Sequence, residues 1–329
     1  MPPPVPPGTL LFSFKLSIGK MAVTAVPLHT NEAIAALPIR DANRLDREYL
    51  RYSLMATSGA AQTNHAVLGA VLNKAKVEAL PIPMRPISEQ RRIVDLLSRA
   101  ENIVRMRMEA EAKAKEIIPA LFVEMFGDPR ENPKNLAIRP LGELISFVTS
   151  GSRGWARYYS PSGARFVRSL DVQMNSISDE EIVTVNPPAG AETERARVSA
   201  GDVLLTITGS RIGRVAAVPE HLHGAFISQH VALLKLHADL NPEFLSMFLS
   251  LEDGGQREIA RLQYGQTKPG LNLAQIRQFL VPVPALSEQV RFSTWARNCR
   301  GLEAQQSRAA ALAGLAFQSL LAGVFGEGR

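Results

Sequence analysis

Residues 144–170 hold four arginines, Arg153, Arg157, Arg165 and Arg168, and no Asp or Glu. Trp155, Tyr158, Tyr159 and Phe166 are interleaved with them, and Ser152 precedes the first. A guanidinium can place two parallel N–H bonds on a phosphate or on the acceptor edge of guanine, while Tyr and Trp can stack on a base or donate a hydrogen bond. A second acid-free stretch, residues 203–219, carries Thr206, Thr208, Ser210, Arg211 and Arg214. Hydroxyls and guanidinia at the tip of a strand-turn-strand are suited to phosphate. The third candidate is Arg261-Leu262-Gln263-Tyr264-Gly265-Gln266-Thr267-Lys268. Gly265 and Pro269-Gly270 make it a loop, and Gln266, Thr267 and Lys268 fit contacts to base edges or backbone. Each composition also describes an ordinary solvated loop, so none of the three decides function by itself.

Other chemistries find less support. Asn186-Pro187-Pro188-Ala189 approaches the Asn-Pro-Pro-aromatic motif of adenine methyltransferases, but Ala189 stands where an aromatic would stack a flipped base. His221, His223, His230 and His237 crowd a short stretch without the Cys or carboxylate partners and regular spacing of a zinc site. No Gly-Lys-Ser/Thr phosphate loop is present, so no ATPase motor is expected. The single cysteine, Cys299, rules out a disulfide within the chain and suits a reducing cytosol. No basic leader precedes an apolar run, and residues 309–326 read as an apolar helix rather than a membrane span. The net charge of +6, from 37 Lys and Arg against 31 Asp and Glu, is compatible with nucleic acid without requiring it. Residues 136–285 balance 14 basic against 14 acidic side chains, so a basic face there requires segregation of charge.

The elements that would carry these loops are legible. Residues 10–16, 19–26, 203–208 and 215–218 read as strands, with Gly19 and Gly213 in the turns. Residues 46–55 and 241–251 read as short helices capped by Asp46 and Asn241, with Pro242 in the first turn. Residues 88–126 read as one long helix with Ser88 as its cap and Pro119 as a kink near its end. Its predicted seam is Ile93, Leu96, Ala100 and Ile103, resumed by Ala114, Ile117 and Leu121. Arg105, Arg107, Glu109, Glu111, Lys113 and Lys115 form its solvated face. About 39 helical residues span roughly 58 Å, and residues 287–325 repeat the pattern.

Self-comparison explains why elements recur. Ile87-Ser88-Glu89-Gln90 matches Leu286-Ser287-Glu288-Gln289, and the same offset carries Leu72-Asn73 onto Leu271-Asn272 and Phe126-Gly127 onto Phe325-Gly326. Further forward, Leu45-Asp46-Arg47-Glu48-Tyr49-Leu50 resembles Leu240-Asn241-Pro242-Glu243-Phe244-Leu245. With small shifts, Asn31-Glu32-Ala33-Ile34-Ala35 aligns with Gln229-His230-Val231-Ala232-Leu233, and Leu10-Leu11 with Leu204-Leu205. The period of about 200 residues is too long for a solenoid and means two copies of a domain with a trailing helix. Residues 136–200 of copy two have no counterpart in copy one, which is therefore expected to be an N-terminally truncated domain. Lys15 and Lys20 are its remaining candidate contacts, with Gln62 and Thr63 beside them.

These motifs resemble a known family. Leu80-Pro81-Ile82-Pro83 followed by Ile87-Ser88-Glu89-Gln90-Arg91-Arg92-Ile93, and Val281-Pro282-Val283-Pro284-Ala285-Leu286-Ser287-Glu288-Gln289, are similar to the domain-closing signature of type I restriction-modification specificity subunits. The run Leu121-Phe122-Val123-Glu124-Met125-Phe126-Gly127-Asp128-Pro129 resembles that family's central-helix exit. Gly142-Glu143-Leu144, Ser150-Gly151-Ser152 and Phe166-Val167-Arg168-Ser169-Leu170-Asp171-Val172 resemble the opening of a target recognition domain. The resemblance implies an α+β chain of two repeated mixed α/β target recognition domains, the first incomplete, each followed by a long helix, with the two helices forming an antiparallel coiled coil. The implied limits are 1–86 for the partial first domain, 87–127 for the central helix, 136–285 for the complete second domain and 286–326 for the C-terminal helix. It further implies a non-catalytic cytoplasmic subunit that reads one half of a bipartite double-stranded DNA site with each domain. Its helices would dock modification subunits that methylate adenine with S-adenosylmethionine, joined by a restriction subunit that uses ATP and Mg2+. No cofactor is expected in this chain. The expected DNA contacts are Ser152, Arg153, Arg157, Tyr158, Arg165, Arg168, Thr208, Ser210, Arg211, Gln266, Thr267 and Lys268, with Lys15 and Lys20 in copy one. The shortened copy one leaves a second reading open, a remnant acting only as a coiled-coil interaction module.

Overall fold

A computed structural model describes residues 3–15, 17–63, 73–265 and 270–326. The chain forms two compact units, Met1–Lys113 with Ala304–Arg329, and Ala114–Glu303.

Unit 1 is built on a three-stranded antiparallel sheet of β1 (Leu10–Ser13), β2 (Met21–Val23) and β3 (Ile34–Leu37), in the order β2-β1-β3. Period-2 alternation puts Leu10, Phe12 and Phe14 on one face, buried against Leu50 and Leu54 of the helix Arg47–Thr63 and against Val77. Asp46 caps that helix, its Oδ1 accepting from the backbone N–H groups of Glu48 (2.8 Å) and Tyr49 (3.1 Å).

Unit 2 centres on a four-stranded antiparallel sheet, β12-β11-β14-β5, formed by β5 (Ile145–Ser150), β11 (Val203–Thr206), β12 (Val215–Ala217) and β14 (Val231–Leu236). Both faces are covered. Val203, Leu205, Ala232 and Leu234 pack with the helix Pro242–Ser250, whereas Leu204, Val231 and Leu233 pack with Trp155, Phe166 and Phe226. This is why the runs Val203-Leu204-Leu205 and Val231-Ala232-Leu233-Leu234 are continuously apolar rather than alternating. A smaller sheet over that second face comprises β6 (Tyr159–Ser160), β7 (Ala164–Val167), β10 (Thr184–Val185) and β13 (Phe226–Ile227), with β7 parallel to β13; β8 (Val172–Gln173) and β9 (Ser176–Ile177) form a two-stranded ribbon, as do β4 (Ala137–Pro140) and β15 (Leu280–Val283). Asn241 caps the helix Pro242–Ser250 as expected, accepting from Glu243 and Phe244.

The two long helices run Ile87–Phe126 and Leu286–Gly326. The first begins one residue before Ser88, and it is the Pro86 carbonyl that accepts from Glu89 and Gln90. It continues through Pro119. Within unit 1, Ile93, Leu97, Ala100 and Val104 pack with Phe317, Leu321 and Phe325. Within unit 2, Ile118, Phe122 and Phe126 pack with Phe292 and Ala296. In each unit, then, the beginning of one helix meets the end of the other. The observed seam corrects the predicted one: Leu97 is buried while Leu96 and Ile103 are 47% and 54% exposed, and Ile118 is buried while Ile117 is exposed. Both registers alternate steps of three and four, so periodicity alone does not separate them.

The repeat has a structural basis. Gln90 is fully buried, accepts from the Asp46 N–H (2.9 Å) and donates to the carbonyls of Arg44 and Arg85. Gln289 does the same with the Asn241 N–H (2.8 Å) and the carbonyls of Asp239 and Pro284. Each glutamine of the Ser-Glu-Gln motif thus ties the start of a long helix to the cap of the preceding short one. Strand pairing also corrects the alignment by one residue. Leu10 faces Leu37 as Val203 faces Leu234, and Ser13 faces Ile34 as Thr206 faces Val231. Leu10 therefore corresponds to Val203 rather than Leu204, and Ile34 to Val231 rather than Ala232. A one-residue slip would exchange the two sheet faces.

Candidate nucleic-acid interface

The turn between β11 and β12 forms one wall of an open cleft of about 480 Å³ in unit 2. Thr208, Gly209, Ser210 and Arg211 line it together with Ser169 and Leu170, His230, and Tyr264 beside Gly270. The turn is held by Gly213, in the left-handed region at φ 88°, whose N–H bonds to the Thr206 carbonyl (2.9 Å). Thr208 Oγ1 lies 2.5 Å from His230 Nδ1, and the Arg211 guanidinium donates to the Leu170 carbonyl (3.0 Å). Tyr264 and Gly270 exchange two backbone hydrogen bonds of 2.9 Å, and the Tyr264 phenol ring is about half exposed. A Cβ on Gly270 would lie 2.8 Å from that ring, so the glycine makes room for it. Three hydroxyls, an imidazole, a phenol and a guanidinium thus line one opening. This set offers both donors and acceptors, as reading of base edges needs.

The arginines of residues 144–170 divide into two pairs. Among the described residues, the Arg153 side chain has no hydrogen bond or ion pair, and the Arg157 guanidinium lies over the Tyr158 ring at 4.8 Å without a hydrogen-bond or ion-pair partner. Both are exposed. Tyr158 in turn meets Trp155 edge-on. Arg165 and Arg168 are engaged. Arg165 is about 10% exposed, donates to the Ser178 and Glu181 carbonyls and sits 3.8 Å from both Asp171 and Asp179. Arg168 forks onto the buried Asp171 carboxylate at 2.8 and 3.2 Å and reaches Glu181, and the Asp171 bond raises its pKa further. These two guanidinia hold the loop in shape rather than standing free for a ligand. Arg214 likewise donates to Gln173.

Gly151 seats the Ser152–Arg153 segment. A Cβ there would lie 2.0 Å from the Ile227 carbonyl oxygen, so the chain passes flush against Ile227–Ser228, just before His230. The Ser152 hydroxyl is buried without a partner among the described residues. Asn186 of the Asn-Pro-Pro run is committed to the turn before β7, donating to Ser160 Oγ and the Ser162 carbonyl. Gln266, Thr267 and Lys268 lie outside the described residues. In unit 1, Lys15 pairs with Glu32 at 3.1 Å, while the Lys20 side chain is exposed and has no partner among the described residues.

Sequence reading did not single out His230 and Tyr264 for this role. In the sequence His230 reads only as one of four crowded histidines. Tyr264 sits in the third acid-free stretch, and that position was the available signal.

Residues 3–116 and 174–294 match the protein family described as type I restriction modification DNA specificity domain. Thr208, Ser210, Arg211, His230 and Tyr264 fall inside the match; Arg153 and Arg157 fall outside it. Among similar solved structures is one concerning complex assembly and conformational transition of the type I R-M system. It is 17% identical, covers 98% of this chain and 82% of that one, and has a TM-score of 0.63. Another is the type I restriction-modification system S subunit from M. genitalium, 13% identical, with 97% and 83% covered and a TM-score of 0.57. At these identities the likeness is one of fold.

Proposed function

This chain belongs to the type I restriction-modification DNA specificity family, and from that premise we propose that unit 2 reads one half of a bipartite DNA site through the cleft between the β11–β12 turn and Tyr264. The observation that carries this reading is the convergence of Thr208, Ser210, Arg211, His230 and Tyr264 on one opening. Arg153 and Arg157, exposed and without acidic partners among the described residues, supply phosphate contacts.

The long helices are the dock for modification subunits, which bring S-adenosylmethionine and methylate adenine, and a restriction subunit adds ATP-driven cleavage. This chain itself carries no cofactor and works in the cytoplasm. Supporting the docking role, the helices leave large apolar side chains in solvent, among them Met106 and Met108 on the first and Leu312 and Leu315 on the second, all at 60% exposure or more.

The test is methylation mapping in a host carrying this chain with its modification subunit, against a host lacking the chain. A new bipartite methylated-adenine motif is expected, with Tyr264→Ala or Arg211→Ala relaxing or abolishing one half only. Each such contact is worth about 1–3 kcal/mol of discrimination. A stable complex without any new motif would leave the interaction-module reading instead.

A further inference from the structure

The large apolar side chains of residues 166–172 are buried with one exception. Phe166, Val167 and Val172 are 2% exposed or less, whereas Leu170 is 49% exposed. Leu170 is also the one aliphatic side chain among the described residues that line the cleft, where it stands with Thr208, Ser210, Arg211, His230 and Tyr264.

A lone exposed leucine is ordinary, but the backbone of this one is pinned. Residues 168–171 form the turn from β7 to β8. The Asp171 N–H donates to the Arg168 carbonyl (3.0 Å), and the buried Asp171 carboxylate accepts from the Arg168 N–H (2.7 Å). Arg168 also forks onto that carboxylate with its side chain, and Arg165 lies 3.8 Å from it. At the tip, the Leu170 carbonyl accepts from Arg211 (3.0 Å) and from the Gln173 side-chain amide (2.9 Å). Gln173 is itself held by Arg214. Leu170 is therefore presented to the cleft at a fixed place, with little ordering left to be done when a ligand arrives.

An apolar side chain fixed among donors and acceptors matches the chemistry of thymine. Its major-groove edge shows the O4 acceptor beside a C5 methyl, and hydrogen bonds alone do not register the methyl. The hydroxyls, the guanidinium and the imidazole of the cleft suit the polar part of such an edge, and Leu170 suits the methyl. Leu170 is half covered within the cleft wall, which favours contact with a base edge. A wedge driven between stacked bases would have to stand clear of its surroundings.

We propose that Leu170 is a specificity-determining residue that packs against the C5 methyl of a thymine in the DNA site. This contact rests on the proposed DNA-reading role of unit 2.

The experiment uses the full chain in complex with its modification subunit. Each thymine of the mapped motif is replaced in turn by deoxyuridine in a synthetic duplex, and binding is measured by competition. At one thymine, loss of the methyl is expected to weaken binding about fourfold. At that position Leu170→Ala should bind the thymine and deoxyuridine duplexes alike, with its melting temperature unchanged, and Leu170→Met should keep the preference. Indifference of the unaltered chain to deoxyuridine at every position would overturn the proposal, whatever the variants do. A thymine preference that survives in Leu170→Ala would overturn it too, by assigning the methyl to another side chain. Both of these results leave the DNA-reading role standing, because the motif is still bound. Absence of any motif removes that role and the Leu170 contact together.

Discussion

At the scale of single residues, the arginines of one acid-free segment do different work because of what stands near them in space. Asp171 and Asp179 follow the segment in sequence and fold back onto it, taking up Arg165 and Arg168. Arg153 and Arg157 are left exposed. Gly151 marks the place where the free pair is positioned, since its missing side chain lets the backbone lie on Ile227. Gly151→Ala forces that contact apart and is expected to cost about 1–3 kcal/mol, lowering the melting temperature and weakening DNA reading together. Arg153→Ala is expected to weaken reading with the melting temperature unchanged. A thermal melt paired with methylation mapping of the two variants checks both outcomes. Equal stability loss in both would show that Arg153 serves the fold.

At the scale of elements, the long helices are defined by which side chains are covered. Leu97 is fully buried among Tyr52, Phe317 and Leu321, whereas its neighbour Leu96 is about half exposed. Leu97→Ala is therefore expected to destabilise by about 2–4 kcal/mol through lost burial and the cavity left behind. Leu96→Ala should stay within about 0.5 kcal/mol. Chemical denaturation of the two variants decides between the seam observed here and the one its heptad spacing suggested. The buried glutamines act at the same scale: each serves the N–H of a helix cap and two carbonyls at once, which explains why the Ser-Glu-Gln motif recurs where a short helix meets a long one.

At the scale of the whole molecule, each of the two units is tied together by its own partly buried polar side chains. Unit 1 joins the helix Arg47–Thr63 to the central helix through Glu101, which accepts from Arg51 (2.7 and 3.1 Å) and from the Tyr52 hydroxyl (2.7 Å). Burial alone would raise the Glu101 pKa; the hydrogen bonds from Arg51 and Tyr52 and the charge of Arg51 outweigh it and hold the carboxyl below its usual value of 4.5. A depressed carboxyl pKa stabilises the fold fully above the ordinary glutamate range, and the contribution is lost as pH falls through the lower folded value. Unit 1 is thus expected to lose stability below about pH 4.5, with Glu101→Gln removing that part of the acid dependence. Melting curves between pH 3 and 7 test this, and an unchanged slope in the variant would rule out Glu101 as the source. Gln256 plays a comparable joining role in unit 2, donating to the carbonyls of Gly213 and Leu249.

The amino-acid sequence by itself determined the two-copy plan, both helix caps at Asp46 and Asn241, the long helices to within a residue at each end, and the family. These features are local or repeated, written in periodicity, capping chemistry and motif spacing, so they need no knowledge of what comes near in space. The tertiary structure alone decided which face of the central helix is the seam, because two registers with the same spacing differ only in what covers them. It also decided the strand register of the repeat, that Arg165 and Arg168 are spent on Asp171, and that His230 and Tyr264 join Thr208 at one cleft. Each of these depends on contacts between residues far apart in the chain, and charge pairing or burial across such distances leaves no periodic trace in the sequence.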